Sequence, residues 1–185
     1  MPVSKWIVFI LVGSLLVVGP QASAQESRPD NEITKLADDV YLFRHQFHQA
    51  IFVTTPAGVI VTDPISAEAA AWLKVEIKKL TDQPVRYVVY SHHHSDHITG
   101  GILVADQATF VSHAAARAPI VDAADSTTPV PSLTFTDRLF IDLGGTHVEL
   151  IYTGKNLSDN SLVVLLPQHR LLFAVDFIPV DTVAY

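Results

Sequence analysis

The chain has 185 residues with 12 Lys and Arg against 19 Asp and Glu, a formal charge of −7, and it contains no cysteine. That acidic balance disfavours a nucleic-acid backbone or an anionic membrane surface as partner, and without cysteine neither a disulfide nor a lipid-modified cysteine is possible, so packing, alone or with metal, must hold the fold. With 49% apolar residues, the length is enough for one domain with its own core.

The first 24 residues read as a secretory signal: Lys5, an apolar run over residues 6–18, then "GPQASAQ" with Ala22-Ser23-Ala24 as the cleavage site. The run of 13 residues is shorter than the roughly 20 that span a bilayer. No stable membrane anchor is therefore expected. The mature chain is expected to start at Gln25 and to be secreted or periplasmic. Without Lys5 it carries 11 basic and 19 acidic residues, a formal charge of −8. Residues 25–35, "QESRPDNEITK", form a polar, loose lead-in to a single domain over 36–185.

From residue 40, "VYLFRHQFHQAIFVTTPAGVIVTDP" gives apolar runs broken at "HQFHQ" and "PAG", the pattern of consecutive strands, with Asp63 and Pro64 ending the last. "SAEAAAWLKVEIKKL" changes to helical spacing at Leu73, Ile77 and Leu80, with Ser66 as cap and lysines in the final turn. After "TDQP" the short strand "VRYVVY" runs directly into "SHHHSDH", residues 91–97. This β-helix-β order places the histidines at the carboxyl end of a strand, the usual ligand position in α/β sheets. "ITGGILVAD" reads as a short helix, "ATFVS" as a strand, "HAAARA" as a helix start, and residues 119–134 as an exposed loop. The remainder is strand-rich: "FTDRLFIDL", a "GG" turn, "THVELIYTG", and "SLVVLLPQHRLLFAVDF" with a turn at 167–170. The two "GG" pairs lack the spacing of a phosphate-binding loop.

His92 and His94 are two apart, so on an extended backbone their imidazoles emerge on one side, and Asp96 and His97 follow where the chain turns into a helix. Two imidazoles plus a carboxylate and a third imidazole suit zinc, which takes nitrogen and oxygen at about 2.0–2.2 Å. A solvated polar turn has the same composition; the position directly after a strand favours the metal. His45 and His48 read as exposed turn histidines, with a substrate contact or auxiliary metal ligand as the other reading. His113 and His169 read as structural or solvated, and His147 lies inside a strand-like run and is not taken as a metal ligand.

"HHHSDH" resembles the His-x-His-x-Asp-His motif of the metallo-β-lactamase superfamily, "GVIVTDP" the strand and aspartate that precede it, and "GGTHVELIYTG" with "SDNSLVVLLPQHRLLFAVDF" the start of the second half. The resemblance implies an α/β fold, an αβ/βα sandwich, and a site for one or two zinc ions. It assigns His92 and His94 to a first metal, Asp96 and His97 to a second, Asp176 to both, and a supporting role to Asp63. It also implies a zinc-dependent hydrolase of an ester, lactone, thioester or amide in a small-molecule substrate, with Asp96 both ligand and orienter of the attacking water. Two departures stand out. Leu157, in "GKNLSDNS", occupies the place expected for another first-metal histidine and is expected to face the cavity, and no histidine lies between Asp176 and Tyr185, where the family's last second-metal ligand is expected. Weak or partial zinc occupancy, impaired activity and a C-terminally truncated second half follow as expectations. The alternatives are an inactive, export-targeted or truncated product, and a β-lactamase.

Overall fold

The computed structural model describes residues 29–105 and 107–178, so the expected signal and cleavage site lie outside the described residues. Four antiparallel strands open the fold: β1 (Asn31–Lys35), β2 (Val40–His45), β3 (His48–Thr55) and β4 (Gly58–Thr62). Helix α1 (Ala67–Leu80) then crosses to β5 (Val85–Val89), and β6 (Thr109–His113) and β7 (Leu133–Phe135) extend the sheet in parallel. The short helices α2 (Ser95–Ile98) and α3 (Gly101–Val104) lie between β5 and β6, and α4 (Arg117–Ala123) follows β6. The seven strands lie in sequence order. A second, antiparallel sheet contains β8 (Arg138–Leu143), β9 (Thr146–Tyr152), β10 (Leu162–Leu166) and β11 (Leu171–Phe173), in the order β11-β10-β9-β8.

Alternation along the strands divides the apolar residues between two cores. Phe43, Phe52, Val61, Val88 and Tyr90 face the helices and pack with Leu73, Ile77, Ile98, Val104 and Ile120. Val40, Ile51, Val53, Val89 and Val111 face the other way and pack against Val148, Leu150, Leu162, Val164 and Leu166 of the second sheet. The layers are thus helices, large sheet, small sheet; among the described residues no α-helix covers the outer face of the small sheet. The small sheet therefore has one buried face, as its alternating β8 and β9 show.

Several elements differ from the sequence reading. The lead-in is a strand from Asn31 onward, held by backbone pairing and by the buried Arg44 guanidinium, which donates to Glu32 Oε2 (2.9 Å) and to the Pro29 and Gln46 carbonyls. These are cross-strand polar contacts, invisible to a hydrophobic pattern. Helix α1 is capped by Ser66 Oγ, which accepts from Ala69 N–H, but its buried stripe is Ala69, Ala70, Leu73 and Ile77, leaving Leu80 exposed in the last turn. The expected loop over 119–134 begins inside α4, where Pro119 sits in the first turn and costs no interior hydrogen bond.

Adjacent parallel strands set the site. β4 runs directly into Asp63, and β5 through Tyr90 into Ser91, with Asp63 N–H donating to the Val89 carbonyl (3.0 Å). α2 and α3 are separated by Gly100 at φ +86, where an added Cβ would stand 2.7 Å from the Ser66 carbonyl oxygen and 2.8 Å from Ala67 Cα. Gly145 has a similar φ, +91, but nothing within 4 Å. Gly145→Ala should therefore cost only the left-handed backbone penalty, about 1–2 kcal/mol, and Gly100→Ala clearly more, roughly 2–4 kcal/mol. Urea unfolding of both variants checks this; equal midpoints would mean that α3 relaxes freely away from α1.

Candidate metal centre

Asp63 is fully buried and organises the centre. Its Oδ1 accepts from Ser91 N–H (2.7 Å), and its Oδ2 from Ser91 Oγ–H (2.5 Å) and from His97 Nδ1 (3.1 Å). With its proton directed at Asp63, Ser91 Oγ can only accept from His92 Nδ1, 3.0 Å away. Both imidazoles are thus fixed as Nδ1–H donors, and each Nε2 points away from Asp63.

These two Nε2 atoms meet Asp176. Its Oδ2 lies 3.2 Å from His92 Nε2 and 3.1 Å from His97 Nε2. The contacts lack the direction of hydrogen bonds, so both buried nitrogens are without a hydrogen-bond partner. Buried polar atoms are rarely left so. Zinc distances of about 2.0–2.2 Å put two ligands of one tetrahedral ion roughly 3.3 Å apart, so His92, His97 and Asp176 fit a divalent cation. A second group lies beside it: Asp96 Oδ2 is 3.1 Å from His48 Nε2 and 3.9 Å from His97 Nε2. In each triad the ligand atoms lie within 4.8 Å of one another.

The charges reinforce the arrangement. Contact with the His92 and His97 imidazoles holds Asp176 well below the usual carboxylate range. Burial alone would lower the His97 pKa, but Asp176 and Asp63 on its two sides outweigh it and raise the value to about 10. Burial and the neighbouring His92 and His93 push His94 down, favouring the neutral form. For Asp96, burial opposes ionisation, but the bond to His48, its own backbone and nearby imidazoles prevail and lower its pKa.

The structure therefore brings His92, His97 and Asp176 together, and Asp96 with His97. His94 stands edge-on to His92, ring centres 4.4 Å apart, but belongs to neither triad. It is the cap residue of α2, where the backbone is still extended. Leu157 is not buried against the histidines: its side chain is 53% exposed, and the inward positions of its loop are the buried Ser158, Asn160 and Ser161. His45 is buried and bonded through Nδ1 to Asn31 Oδ1 (2.7 Å), so it is not the exposed turn residue expected. Its neighbour His48 is turned to Asp96 by the two-residue hairpin at 46–47. Sequence reasoning missed Asn160: its side-chain carbonyl accepts from His93 N–H (3.0 Å), and nearby Leu162 N–H donates to the Ser91 carbonyl (2.9 Å), fastening the histidine turn to the second sheet. Its signal was the "SDNS" segment between two strands. A cavity of about 300 Å³ between α1 and α3, lined by Lys74, Ile77, Thr81, Pro84 and Val104 among others, contains none of these groups.

The family model of the metallo-beta-lactamase superfamily matches residues 43–184. The chain belongs to the metallo-β-lactamase superfamily. The match places it among that superfamily's hydrolases. A type 2 metallo-β-lactamase from Bacteroides fragilis is 27% identical over 178 residues, spanning 90% of this chain and 70% of the relative. A linear primary-alkylsulfatase from a Pseudomonas species is 21% identical over 170 residues, which span 67% of this chain but 32% of the sulfatase. Among solved structures, a metallo-β-lactamase from Pontibacter korlensis superposes with a TM-score of 0.62 at 25% identity, covering 78% of this chain and 70% of that one. The metallo-β-lactamase IND-7 superposes at 0.65 with 17% identity over 77% and 69% of the two chains, a likeness of fold. The two packed sheets with helices on the large one are the part of the metallo-β-lactamase fold described here.

Electrostatics at the centre of this superfamily member give a pH prediction for the chelated protein. His97 ordinarily titrates near 6.5, and in the fold near 10, so the folded state binds that proton more tightly than the unfolded chain. The stabilisation is complete below about pH 6.5 and is lost as pH rises toward 10. Urea midpoints in the presence of EDTA should fall between pH 6.5 and pH 9.5, and His97→Gln should flatten that slope; an unchanged slope would assign the effect to other groups.

Proposed function

We propose that the chain is a zinc-dependent hydrolase of an ester, lactone, thioester or amide in a small-molecule substrate, acting outside the cytoplasm. The observation that carries the reading is the pair of buried, partnerless Nε2 atoms of His92 and His97 converging on one carboxylate oxygen of Asp176. His92, His97 and Asp176 would hold the ion, with His94 adjoining. Zinc in such a setting supplies Lewis acidity, bringing the pKa of water toward neutrality and polarising a carbonyl.

The chain's own groups supply the rest. Asp63 holds the imidazoles in the tautomer that presents Nε2. The Asp96 side chain, 57% exposed, is open to water, and its lowered pKa keeps it ionised near neutrality, able to orient an attacking water and accept its proton. His48 fixes the Asp96 rotamer through its 3.1 Å contact. Phe47, 81% exposed at the hairpin tip and packed on the His48 ring, offers an apolar wall for an acyl or ring substituent.

A β-lactam amide is the second reading, favoured by the similarity to type 2 metallo-β-lactamases over 90% of the chain. Both readings are tested with protein stripped by EDTA and reconstituted with zinc, assayed on an aryl ester, an aliphatic lactone and a chromogenic cephalosporin. Hydrolysis should depend on zinc. Asp96→Asn should reduce kcat by about 10²-fold or more. Turnover of the cephalosporin in preference to the ester and lactone would select the second reading, and turnover insensitive to chelation would exclude a zinc enzyme.

A further inference from the structure

Five side chains form an arc in which nitrogen and oxygen alternate: His92 Nε2, Asp176 Oδ2, His97 Nε2, Asp96 Oδ2 and His48 Nε2, with successive separations of 3.2, 3.1, 3.9 and 3.1 Å. Four of the five come from the histidine motif and from Asp176. The fifth comes from the start of β3, 44 residues before His92. A two-residue hairpin with Gln46 at φ 54 delivers it, and Phe47 on one side and the edge of His97 on the other, 4.4 and 5.4 Å between ring centres, hold the imidazole in place.

We infer that His48 is a direct ligand of a second divalent cation, bound with Asp96 and His97 at the outer end of the arc. The inference rests on the zinc reading above, moves His97 from the single ion of that reading to the outer of two, and adds a nitrogen that the histidine motif does not contain. The argument turns on His97. Its Nδ1 is occupied by Asp63, so it has one lone pair to offer, on an Nε2 that is buried and without a hydrogen-bond partner. One lone pair serves one ion. An ion shared by His92 and His97 takes that lone pair and leaves Asp96 and His48 with each other. Two ions bind only if His97 serves the outer one, and there, among the described residues, Asp96 and the Asp176 carboxylate it would share with the inner ion are the other acceptors at hand. His48 changes that count: with Nε2 of His48 and His97 and Oδ2 of Asp96, three ligand atoms lie within 4.8 Å, a set suited to zinc with a position left open. The inner ion then keeps His92, the adjoining His94, and the Asp176 carboxylate. A hydrogen bond to Asp96 alone does not require an imidazole at position 48, because any short amide donor would serve.

Two substitutions separate ligand from hydrogen-bond donor. His48→Gln keeps a donor for Asp96 and removes the imidazole. His48→Cys replaces one zinc ligand with another, and because the chain has no cysteine of its own, any thiolate-to-cobalt charge-transfer band comes from that position. Wild type, both variants and His92→Ala are loaded with zinc or cobalt, freed of excess metal, and compared by metal content, cobalt absorption and circular dichroism, the last to confirm the fold. For wild type we expect two ions. In His48→Gln the outer ion should weaken by about 100-fold, beyond the lower end of what loss of an outer partner costs. His48→Cys should regain it and show the charge-transfer band, while His92→Ala weakens the inner ion. A folded His48→Gln protein with wild-type metal content and cobalt spectrum, or a His48→Cys protein without the band, overturns the role of His48 and leaves the zinc reading intact. If wild type takes up no zinc or cobalt, the zinc reading itself fails.

Discussion

The buried carboxylate of Asp63 is the interaction on which the centre depends. Removing a carboxylate from water is costly, and the cost is offset only when its oxygens are fully hydrogen-bonded. Here the donors are Ser91 N–H, Ser91 Oγ–H and His97 Nδ1–H, with His92 linked through the serine. The same bonds that make the buried charge tolerable also decide which nitrogen of each imidazole faces the ligand side. Stability and ligand presentation are therefore one constraint. The backbone shows its cost. Asp63 has φ +29 and Ile65 φ +71, the latter a left-handed conformation that β-branched residues strongly disfavour. Ile65 N–H, donating to the His97 carbonyl at 2.7 Å, holds the kink and ties it to the helix that bears Asp96 and His97.

Two sheets must be in register for this to work. Asp63 and the histidine turn both leave the carboxyl edge of the large sheet, so their relative position follows from β4–β5 pairing. Asp176 comes from beyond β11 of the small sheet and reaches His92 and His97 from a positive φ of +64, a conformation aspartate tolerates. Asn160 and the Ser91–Leu162 backbone bond fix the distance between the two contributions. The apolar core between the sheets, with Leu150, Leu162, Val164 and Leu166 buried, supplies the stiffness that keeps Asp176 opposite the histidines.

Much of this was legible in the sequence because the signals were local. The strand "VRYVVY" running into "SHHHSDH" located the site, period-2 and period-3.6 patterns located most elements, and family resemblance assigned Asp63 and Asp176 to the same centre. What the sequence hid was non-local or polar. Strand β1 has no apolar alternation and is recruited by the Arg44 network. His45 and His48 sit three apart and pair directly across one tight hairpin, yet one is buried against Asn31, its partner on the flanking β1, and the other reaches Asp96; the neighbouring chain on each side, not composition, decides that. Leu157 looked like a lost ligand because only its place in a motif could be read. In the fold, its loop turns the small polar residues Ser158, Asn160 and Ser161 inward, where they can bond to backbone and to His93, and leaves the leucine to solvent.

The charge of the centre indicates why it should favour a cation. Asp63, Asp96 and Asp176 converge on the same histidines, and among the described residues no ion pair joins any of the three to lysine or arginine. Three carboxylates this close repel unless positive charge is brought in. In a metal-free chain a proton on His97, between Asp63 and Asp176, is one source, and this is the physical meaning of its raised pKa. A proton neutralises one charge and can be shared between only two heavy atoms. A divalent cation brings twice the charge and accepts four ligands at once, so it satisfies Nε2 atoms that a single proton must leave without a partner. The competition between proton and cation for one place on His97 then couples metal uptake to proton release. It also fits an arc built from groups that are strong ligands when deprotonated and whose carboxylates, among the described residues, pair only with histidines.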